Sequence, residues 1–405
     1  MDFLDVFREK SVVKFCWFSF STMDGGFVAT FGCENDIWLA NATFATLTIL
    51  NRYSYSLLST LLKSPFLSII MLQLHVWGSD SIVSVISPEC LASSWLLNMS
   101  LTPDQFEIIT SSNTNISDIH KLPVLIDDDI KYQGYVAISR YIEEISKEHK
   151  PPVNQVFMDS TNLINMSLLN LNLTKIEYIN QYNLFMNVKN YEQFTRKLFQ
   201  KYFPFPMMYN QPLKFYNNAQ AQIKLLGLAS NKTSFFSLAG AQTETVNDEY
   251  SEDEENDMAL SALHERKLLA KSKEKEMLKE TRNSLRCLHL INEYLEFYVK
   301  IFEDMNKSDA DVTGSEYGYI FDKNKISTSE LLLYSYIYSL TYEELPDKFV
   351  ANYLQLKYPK MSEFIREKTH FFNENLANIN FRSPCGIEAP TLVNEIKYLT
   401  GFIEY

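Results

Sequence analysis

Glycine and cysteine are both scarce in this chain. Only 11 of the 405 residues are glycine, which argues against Gly-rich nucleotide loops and against sheet-rich folds with many tight turns. The cysteines are scattered, odd in number and without a CxxC pair: Cys16, Cys33, Cys90, Cys287 and Cys385. This usage predicts a reducing compartment, with neither a disulfide framework nor a zinc site.

Positive charge is also in short supply. The chain has 37 Lys and Arg against 50 Asp and Glu, a net charge of −13. Such a chain is a poor nucleic-acid binder unless its charge is segregated. An acidic run at 248–257 and a Lys- and Arg-rich run at 267–286 are typical of solvated surface. We therefore expect no nucleic-acid partner.

Core-forming residues, in contrast, are plentiful. The chain is 46% apolar and 14% aromatic, and its length suits two or three domains. Residues 1–70 are apolar without a clean helical or strand period, and acidic and basic residues break every run that could cross a bilayer. They lack the pattern of a signal peptide. We expect residues 1–70 to be a poorly ordered extension, with Met71 as the functional start.

From Met71 the pattern becomes regular and predicts strands and helices in the order βαβ, then ββα. Strands are predicted at 72–77 and 106–110, and Ser87 and Pro88 are a natural N-cap and first residue of the helix between them. Residues 122–126 and 130–135 predict an antiparallel hairpin across an Asp-rich turn, with an amphipathic helix after Gly134. Cys90 follows Ser87-Pro88-Glu89 and lacks a second cysteine, so we interpret it as a small buried hydrophobe.

The remainder, 151–405, is predicted to be helical. Pro151-Pro152 separates it from the domain at 71–150, and a segment at about 229–257 is expected to be disordered because it is low in apolar residues. Ser327 and Glu330 have the spacing of a capping box, ahead of a short, almost wholly apolar helix at 331–340.

The hairpin and helix at 121–144 resemble the second half of the thioredoxin-like domain of glutathione transferases. In that family the counterpart of Pro123 is a cis proline; an ordinary trans proline at a strand entrance is the alternative. The resemblance implies an α/β thioredoxin-like N-terminal domain followed by an all-α glutathione-transferase-like domain. The transferases usually carry Glu-Ser where this chain has Gly134-Tyr135. The γ-glutamyl contact is therefore missing, and no cofactor is expected.

Residues 187–213 carry a more specific resemblance. Three short segments are similar to the metaxin signature, a K-N-Y followed by T-[RK]-K and then F-P: Val188-Lys189-Asn190-Tyr191, Thr195-Arg196-Lys197 and Phe203-Pro204-Phe205-Pro206. The Phe-Pro-Met and Tyr-Asn-x-Pro-Leu elements that follow are closer still to the fungal metaxin-like Tom37 family, as are His75, Trp77 and Gly78. This resemblance covers residue 71 to about residue 345.

The resemblance implies a non-enzymatic scaffold subunit of the sorting and assembly machinery, peripheral on the cytosolic face of the mitochondrial outer membrane. Members assist insertion, folding and release of β-barrel precursors. The implied partners are a β-barrel core subunit, a second metaxin-like subunit and, for some members, the translocase of the outer membrane. No catalytic, cofactor-binding or metal-binding residue is carried over.

Two alternatives stay open. Four residues are candidate partner contacts, although internal packing would also explain them: Phe203, Phe205, Pro206 and Tyr209. An active glutathione transferase is the alternative function, with Ser79 or Ser81 as its hydroxyl close after the first strand.

Overall fold

The structure, a computed structural model, describes the backbone of residues 17–23, 26–33 and 36–43, and residues 71–128, 130–149, 156–157, 159, 161–228, 262–306, 318–322, 324–403 and 405. The chain divides into two compact units, Met1–Ile69 and Ile70–Tyr405. The linker Pro151-Pro152 and the acidic segment at 229–257 lie outside the described residues. The boundaries expected at 70/71 and 150/151 stay predictions.

The first unit contains an antiparallel three-stranded sheet. Its strands are β1 (Trp17–Met23), β2 (Gly26–Cys33) and β3 (Asp36–Thr43). Our expectation that residues 1–70 are a poorly ordered extension stays a prediction. A sequence signal for strands here is the alternation Phe18-Ser19-Phe20-Ser21, which is followed by Asp24-Gly25, a dipeptide typical of two-residue hairpin turns.

The second unit contains the predicted thioredoxin-like layer, and the order βαβ followed by ββα is confirmed. Its strands are β4 (Leu72–His75), β5 (Gly78–Ser79), β6 (Ile82–Val83), β7 (Phe106–Ile109), β8 (Val124–Asp127), β9 (Ile130–Gln133), β10 (Val156–Phe157), β11 (Ile326–Ser327) and β12 (Phe381–Arg382). The main sheet has the order β12-β7-β4-β8-β9. Strand β4 runs parallel to β7 and antiparallel to β8.

Helices make up most of the rest. They are α1 (Pro88–Ser100), α2 (Tyr135–His149), α3 (Leu163–Leu171), α4 (Glu177–Gln181), α5 (Val188–Asn190), α6 (Arg196–Tyr202), α7 (Met207–Leu225), α8 (Ala262–Asn306), α9 (Thr328–Leu340), α10 (Phe349–Lys357), α11 (Pro359–Leu376) and α12 (Leu392–Leu399). Single π-helical turns join α3 to α4 and α5 to α6, and another follows α4. The helical C-terminal half is thus confirmed in its main features.

Two details of that half need a physical explanation. Pro212 lies inside α7, which begins at Met207. Both residues are buried, and this packing outweighs the backbone hydrogen bond that Pro212 cannot donate. The C-terminal region was expected to be wholly helical, but β12 pairs in parallel with β7. A two-residue strand has no periodic pattern, and its partner is remote in sequence, so local analysis could not find it.

Helix α9 lies at the centre of the second unit. All its residues except Tyr338 are buried. Its start contains the capping box: Ser327 Oγ accepts from the N–H of Glu330 at 3.2 Å, and Glu330 Oε2 accepts from the N–H of Ser327 at 3.1 Å. The other Glu330 oxygen accepts from the N–H of Ile320 at 2.8 Å. One buried carboxylate therefore fastens both the helix and the preceding loop.

Helix α1 joins the thioredoxin-like sheet to this centre. It packs against α2, α9 and α11. Trp95, fully buried on α1, places its ring 6.2 Å from that of Tyr338 on α9 and 5.5 Å from that of Phe372 on α11. Its indole N–H donates to Asn373 Oδ1 at 3.0 Å. This side chain is thus shared between the sheet-bearing part of the unit and its helices.

A candidate ligand cleft and the family of the chain

A cleft of about 510 Å³ opens beside the sheet. It lies between the start of α1, the loop that precedes Pro123, helices α4 and α7, and the C-terminal helix α12. Trp77, Leu122 and Phe215 supply apolar wall, whereas Lys121 and Lys214 supply positive charge. Clefts of this size with a few polar groups are the usual form of small-ligand sites, so its chemistry decides what the fold can bind.

At the start of α2, a side-chain carboxyl group of the protein itself accepts the hydrogen bond that the backbone N–H could otherwise donate to a ligand. Gly134 precedes that helix with φ +78°, a conformation that favours glycine. The N–H of Tyr135 donates to Glu89 Oε2 at 3.2 Å. The Tyr135 hydroxyl points away into the core, where it donates to the carbonyl of Thr328 at 2.8 Å. Neither polar group of Tyr135 is therefore open to a ligand.

Two carboxyl groups line the inner wall of the cleft. Burial raises the pKa of Glu89, although the bond from Tyr135 opposes this. Burial also raises the pKa of Glu177 to about 7, although Gln181 Nε2 donates to it at 2.6 Å. An inner wall with two such groups repels anions when they are ionised. Such a wall opposes the α-carboxylate of a γ-glutamyl group, although not its α-ammonium group.

The two serines considered for a transferase, Ser79 and Ser81, lie in the β5–β6 hairpin and are not among the residues that line the described cleft. Hydroxyl groups that do line it are those of Ser87, Thr114 and Tyr398. Cys90 is fully buried, and burial raises the pKa of its thiol to about 12. A thiol in that state is a poor nucleophile, which agrees with our interpretation of Cys90. Among the described residues there is no group of three potential metal ligands.

The C-terminal segment 380–405, which we call the C-terminal strap, covers one side of the cleft. Strand β12 joins it to the sheet, and Arg382 there bonds Glu107 at 3.2 Å and both oxygens of Glu388 at 2.8 and 2.9 Å. Burial opposes ionisation of Glu388, but Arg382 overcomes it and lowers the pKa to about 2. Beyond the strand, Glu395 accepts from the Asn115 amide at 2.6 Å.

Arg382→Gln is expected to loosen the strap. The substitution removes the charge-assisted bonds to Glu107 and Glu388, and since Arg382 is partly exposed we expect about 1 kcal/mol and hence about fivefold faster amide exchange in α12. Hydrogen-exchange mass spectrometry measures this directly. Lys357→Gln, which removes an exposed ion pair with Glu296 elsewhere, is the matched control. Equal protection of α12 in all three proteins would contradict the role given to Arg382.

The structure shows where the residues lie that we predicted to have structural roles. The Leu122–Pro123 bond is cis, as the resemblance implied. Pro88 is the first residue of α1, and Ser87 is at the N-cap with extended backbone, but its side chain makes no capping hydrogen bond, contrary to our expectation. Ser327 and Glu330 form the capping box described above.

The four candidate contact residues separate into two groups. Phe203 is buried, with its ring 5.8 Å from that of Trp77, so its assignment as a partner contact is corrected to internal packing. Pro206 is half-buried, after a second cis bond. Phe205 and Tyr209 are exposed, and their rings meet edge to face at 6.1 Å. Among the four candidate residues, only Phe205 and Tyr209 are exposed to solvent as a pair.

Buried asparagines were missed by the sequence analysis. Asn190, inside the K-N-Y segment, accepts from the N–H of Asp347 at 2.8 Å and donates to Asn183 Oδ1 at 3.0 Å. Asn187 donates to the Asp347 carboxylate at 2.8 Å. These bonds fasten α5 to the loop after α9. An asparagine is common in turns, so the sequence alone gave no sign that these were buried.

Two family models match this chain. Residues 90–216 match Tom37, described as an outer mitochondrial membrane transport complex protein, and residues 241–402 match the Tom37 C-terminal domain. The chain belongs to the Tom37 family. The two matches are to consecutive parts of one family, and together they include the K-N-Y segment, α9 and the strap. In this Tom37-family chain, no described helix is long and apolar enough to cross a membrane.

Two solved structures are similar to this chain. Glutathione transferase GSTFuA3 from Phanerochaete chrysosporium is 11% identical, covers 75% of this chain and 97% of its own, and gives a TM-score of 0.39. Ure2p in complex with glutathione is 10% identical, covers 80% and 99%, and gives 0.36. No curated protein matches the chain. The fold assignment for this Tom37 relative therefore depends on its own strand order and helices.

Proposed function

We propose that this Tom37-family chain is a non-enzymatic scaffold subunit of the sorting and assembly machinery, which assists insertion, folding and release of β-barrel precursors in the mitochondrial outer membrane. It acts from the cytosolic face as a peripheral subunit. Its partners are a β-barrel core subunit, a second metaxin-like subunit and the translocase of the outer membrane.

The bond between Glu89 and the N–H of Tyr135 carries the non-enzymatic part of this proposal. In glutathione transferases the residues at these positions hold the γ-glutamyl group, and here a carboxylate from α1 fills the same hydrogen-bonding position. A γ-glutamyl group would have to displace Glu89 from the N–H of Tyr135 before it could use that donor.

The family match supports the rest of the proposal. A chain of the Tom37 family is a component of an outer mitochondrial membrane transport complex. A rigid body of this kind offers broad faces for docking without any chemistry of its own. Affinity purification of the full chain from detergent-solubilised mitochondria tests this. We expect a membrane β-barrel protein and a second metaxin-like chain to co-purify; recovery of the chain without either would reject the proposal.

Substitution of the exposed aromatic pair, Phe205 and Tyr209, makes that purification experiment more specific. Aromatic side chains dominate the energetics of protein interfaces, so Phe205→Ala with Tyr209→Ala is expected to lower partner recovery about tenfold. Phe371→Ala is the matched control, because Phe371 is an exposed phenylalanine on α11. Recovery that is unchanged in the double variant would show that this pair is not the contact.

An active glutathione transferase is the alternative function. It would retain the purified chain on glutathione resin and conjugate glutathione to a standard electrophile. We expect neither, in the wild type or in Glu89→Gln, because Ser79 and Ser81 lie outside the cleft and the Cys90 thiol is fully buried. Turnover by the wild-type protein above the uncatalysed rate would establish the alternative.

A further inference from the structure

Helix α12 is attached to the body by its polar side. The Asn394 amide is buried and donates to the carbonyl oxygens of Gly386 and Ala389, each at 2.9 Å. Glu395 accepts from Asn115, and the Tyr398 ring lies edge-on to His120 at 6.3 Å. A surface helix normally buries its apolar side and exposes its polar side. This helix does the reverse.

The other side of the helix presents a continuous apolar surface to solvent. We call it the outer stripe, and it consists of Leu392, Val393, Ile396, Leu399 and Phe402. These residues are between 42% and 83% exposed. The helical spacing of Leu392, Val393, Ile396 and Leu399 places these four on one face of α12, at whose edge Leu399 also borders the cleft, and Phe402 lies just beyond the end of the helix. Single exposed apolar residues are ordinary, but a contiguous apolar surface marks a site that binds a protein or a membrane.

The polar groups around the outer stripe are already satisfied internally. The Thr400 hydroxyl donates to the carbonyl of Ile396 at 2.7 Å. The helix end is closed by N–H groups that bond back into the last turn, from Gly401 to Tyr398 at 3.0 Å and from Phe402 to Lys397 at 2.8 Å. The stripe therefore offers hydrocarbon and almost no free hydrogen-bonding group.

This chemistry fits a lipid better than a protein. A protein interface carries roughly one hydrogen bond per 100–200 Å². The residues that dominate its binding energy are most often Tyr, Trp and Arg, none of which lies in the stripe. The acyl region of a bilayer instead requires every polar group to be satisfied within the protein. Lys397 is exposed on the flank of the stripe, where its long stem allows the ammonium group to reach a lipid phosphate.

We propose that the outer stripe of α12 lies at the boundary between the headgroups and the acyl chains of a phospholipid bilayer. The helix then lies in the plane of the surface, with Glu395 holding it to Asn115 of the body and Asn394 holding it to the preceding loop of the strap. This contact is separate from docking on protein partners. It shares with the proposed function only the placement of the chain at a membrane.

Flotation of the purified full-length chain with vesicles tests the proposal. The vesicles contain phosphatidylcholine and phosphatidylethanolamine, with or without phosphatidylinositol. Val393→Asp with Phe402→Asp is expected to lower the vesicle-bound fraction at least about tenfold, since two apolar side chains lose their burial. Leu356→Asp, at an 84% exposed leucine on α10, is the matched control and is expected to float like the wild type. Because all three positions are exposed, the melting temperatures should agree.

The other possible outcomes also support or overturn the proposal. Lys397→Gln is expected to weaken binding by about fivefold on vesicles that contain phosphatidylinositol; unchanged binding would remove Lys397 from the proposal. Failure of the wild type to float, or flotation of the stripe variant at the wild-type level, overturns it. So does a concentration-dependent dimer that the stripe variant loses, which would make the stripe a contact between copies.

Failure of this inference is distinguishable from failure of the proposed function. The vesicle experiment contains no partner protein, and the affinity purification requires no vesicle. If the stripe variant fails to float but still recovers the β-barrel and metaxin-like partners, both proposals stand. If the wild type floats but recovers neither partner, the lipid contact stands and the proposed function fails.

Discussion

Glu330→Ala is expected to lower the free energy of unfolding by about 2–4 kcal/mol, one of the two largest effects we predict. The Glu330 carboxylate accepts from two buried backbone N–H groups and from the Ser327 hydroxyl at 2.7 Å. Alanine leaves these donors without an acceptor in a site where the wild-type side chain is 2% exposed. Each unsatisfied buried group costs about 1–3 kcal/mol, partly offset because a buried carboxylate is removed.

Urea unfolding followed by circular dichroism measures this loss. Glu330→Gln is the matched control, because it keeps one acceptor oxygen and the volume of the side chain, and we expect a loss of about 1 kcal/mol. A Glu330→Ala protein with the wild-type unfolding midpoint would show that the capping box contributes little to this fold.

The raised pKa of Glu330 also predicts how the stability of the protein depends on pH. Burial raises the pKa of Glu330 from 4.5 to about 7, so the folded state binds the proton more tightly than the unfolded state. The stabilisation that this proton gives is complete below about pH 4.5 and is lost as pH rises through about 7. Burial shifts Glu177 in the same direction to about 7. The wild type should therefore be more stable near pH 5 than near pH 8, and Glu330→Gln with Glu177→Gln should flatten this dependence.

Trp95→Ala is expected to cost about 3–5 kcal/mol, the range typical of removing a large aromatic side chain from a core. Because Trp95 touches both α9 and α11, the loss falls where the sheet-bearing part meets the helices. We expect calorimetry to show a lower melting temperature and a broader transition that resolves into two. Trp95→Phe keeps most of the packing but loses the bond to Asn373, and should cost about 1–2 kcal/mol. A single transition at the wild-type temperature in Trp95→Ala would contradict this.

The sequence was sufficient for features that depend on neighbouring residues. The succession of strands and helices along residues 72–149, the start of α1 at Pro88 and the capping box at Ser327 and Glu330 follow from local patterns of apolar residues and turn chemistry. The family resemblance came from short motifs in order, and residues such as Phe203 in those motifs prove to be packing residues.

Features made by distant residues could not be predicted in this way. Glu89 and Tyr135 are 46 positions apart, and the sequence around neither residue indicates that Glu89 accepts a hydrogen bond from the N–H of Tyr135. Arg382 meets Glu107 across 275 positions, which is why the strap and β12 were missed. The helical period of α12 shows that it has two faces, but the period does not say which one is buried. Bonds made by Asn394 decide that, and they became visible only in three dimensions.

The assembly of β-barrel precursors by isolated mitochondria tests the central claim most directly. Mitochondria depleted of this chain would import a labelled β-barrel precursor and, in parallel, a labelled matrix precursor, with native gels reporting the assembled forms. We expect β-barrel assembly to fall and to recover when the wild-type chain is restored, while matrix import stays normal. Normal β-barrel assembly in the depleted mitochondria, or an equal loss of matrix import, would contradict the account.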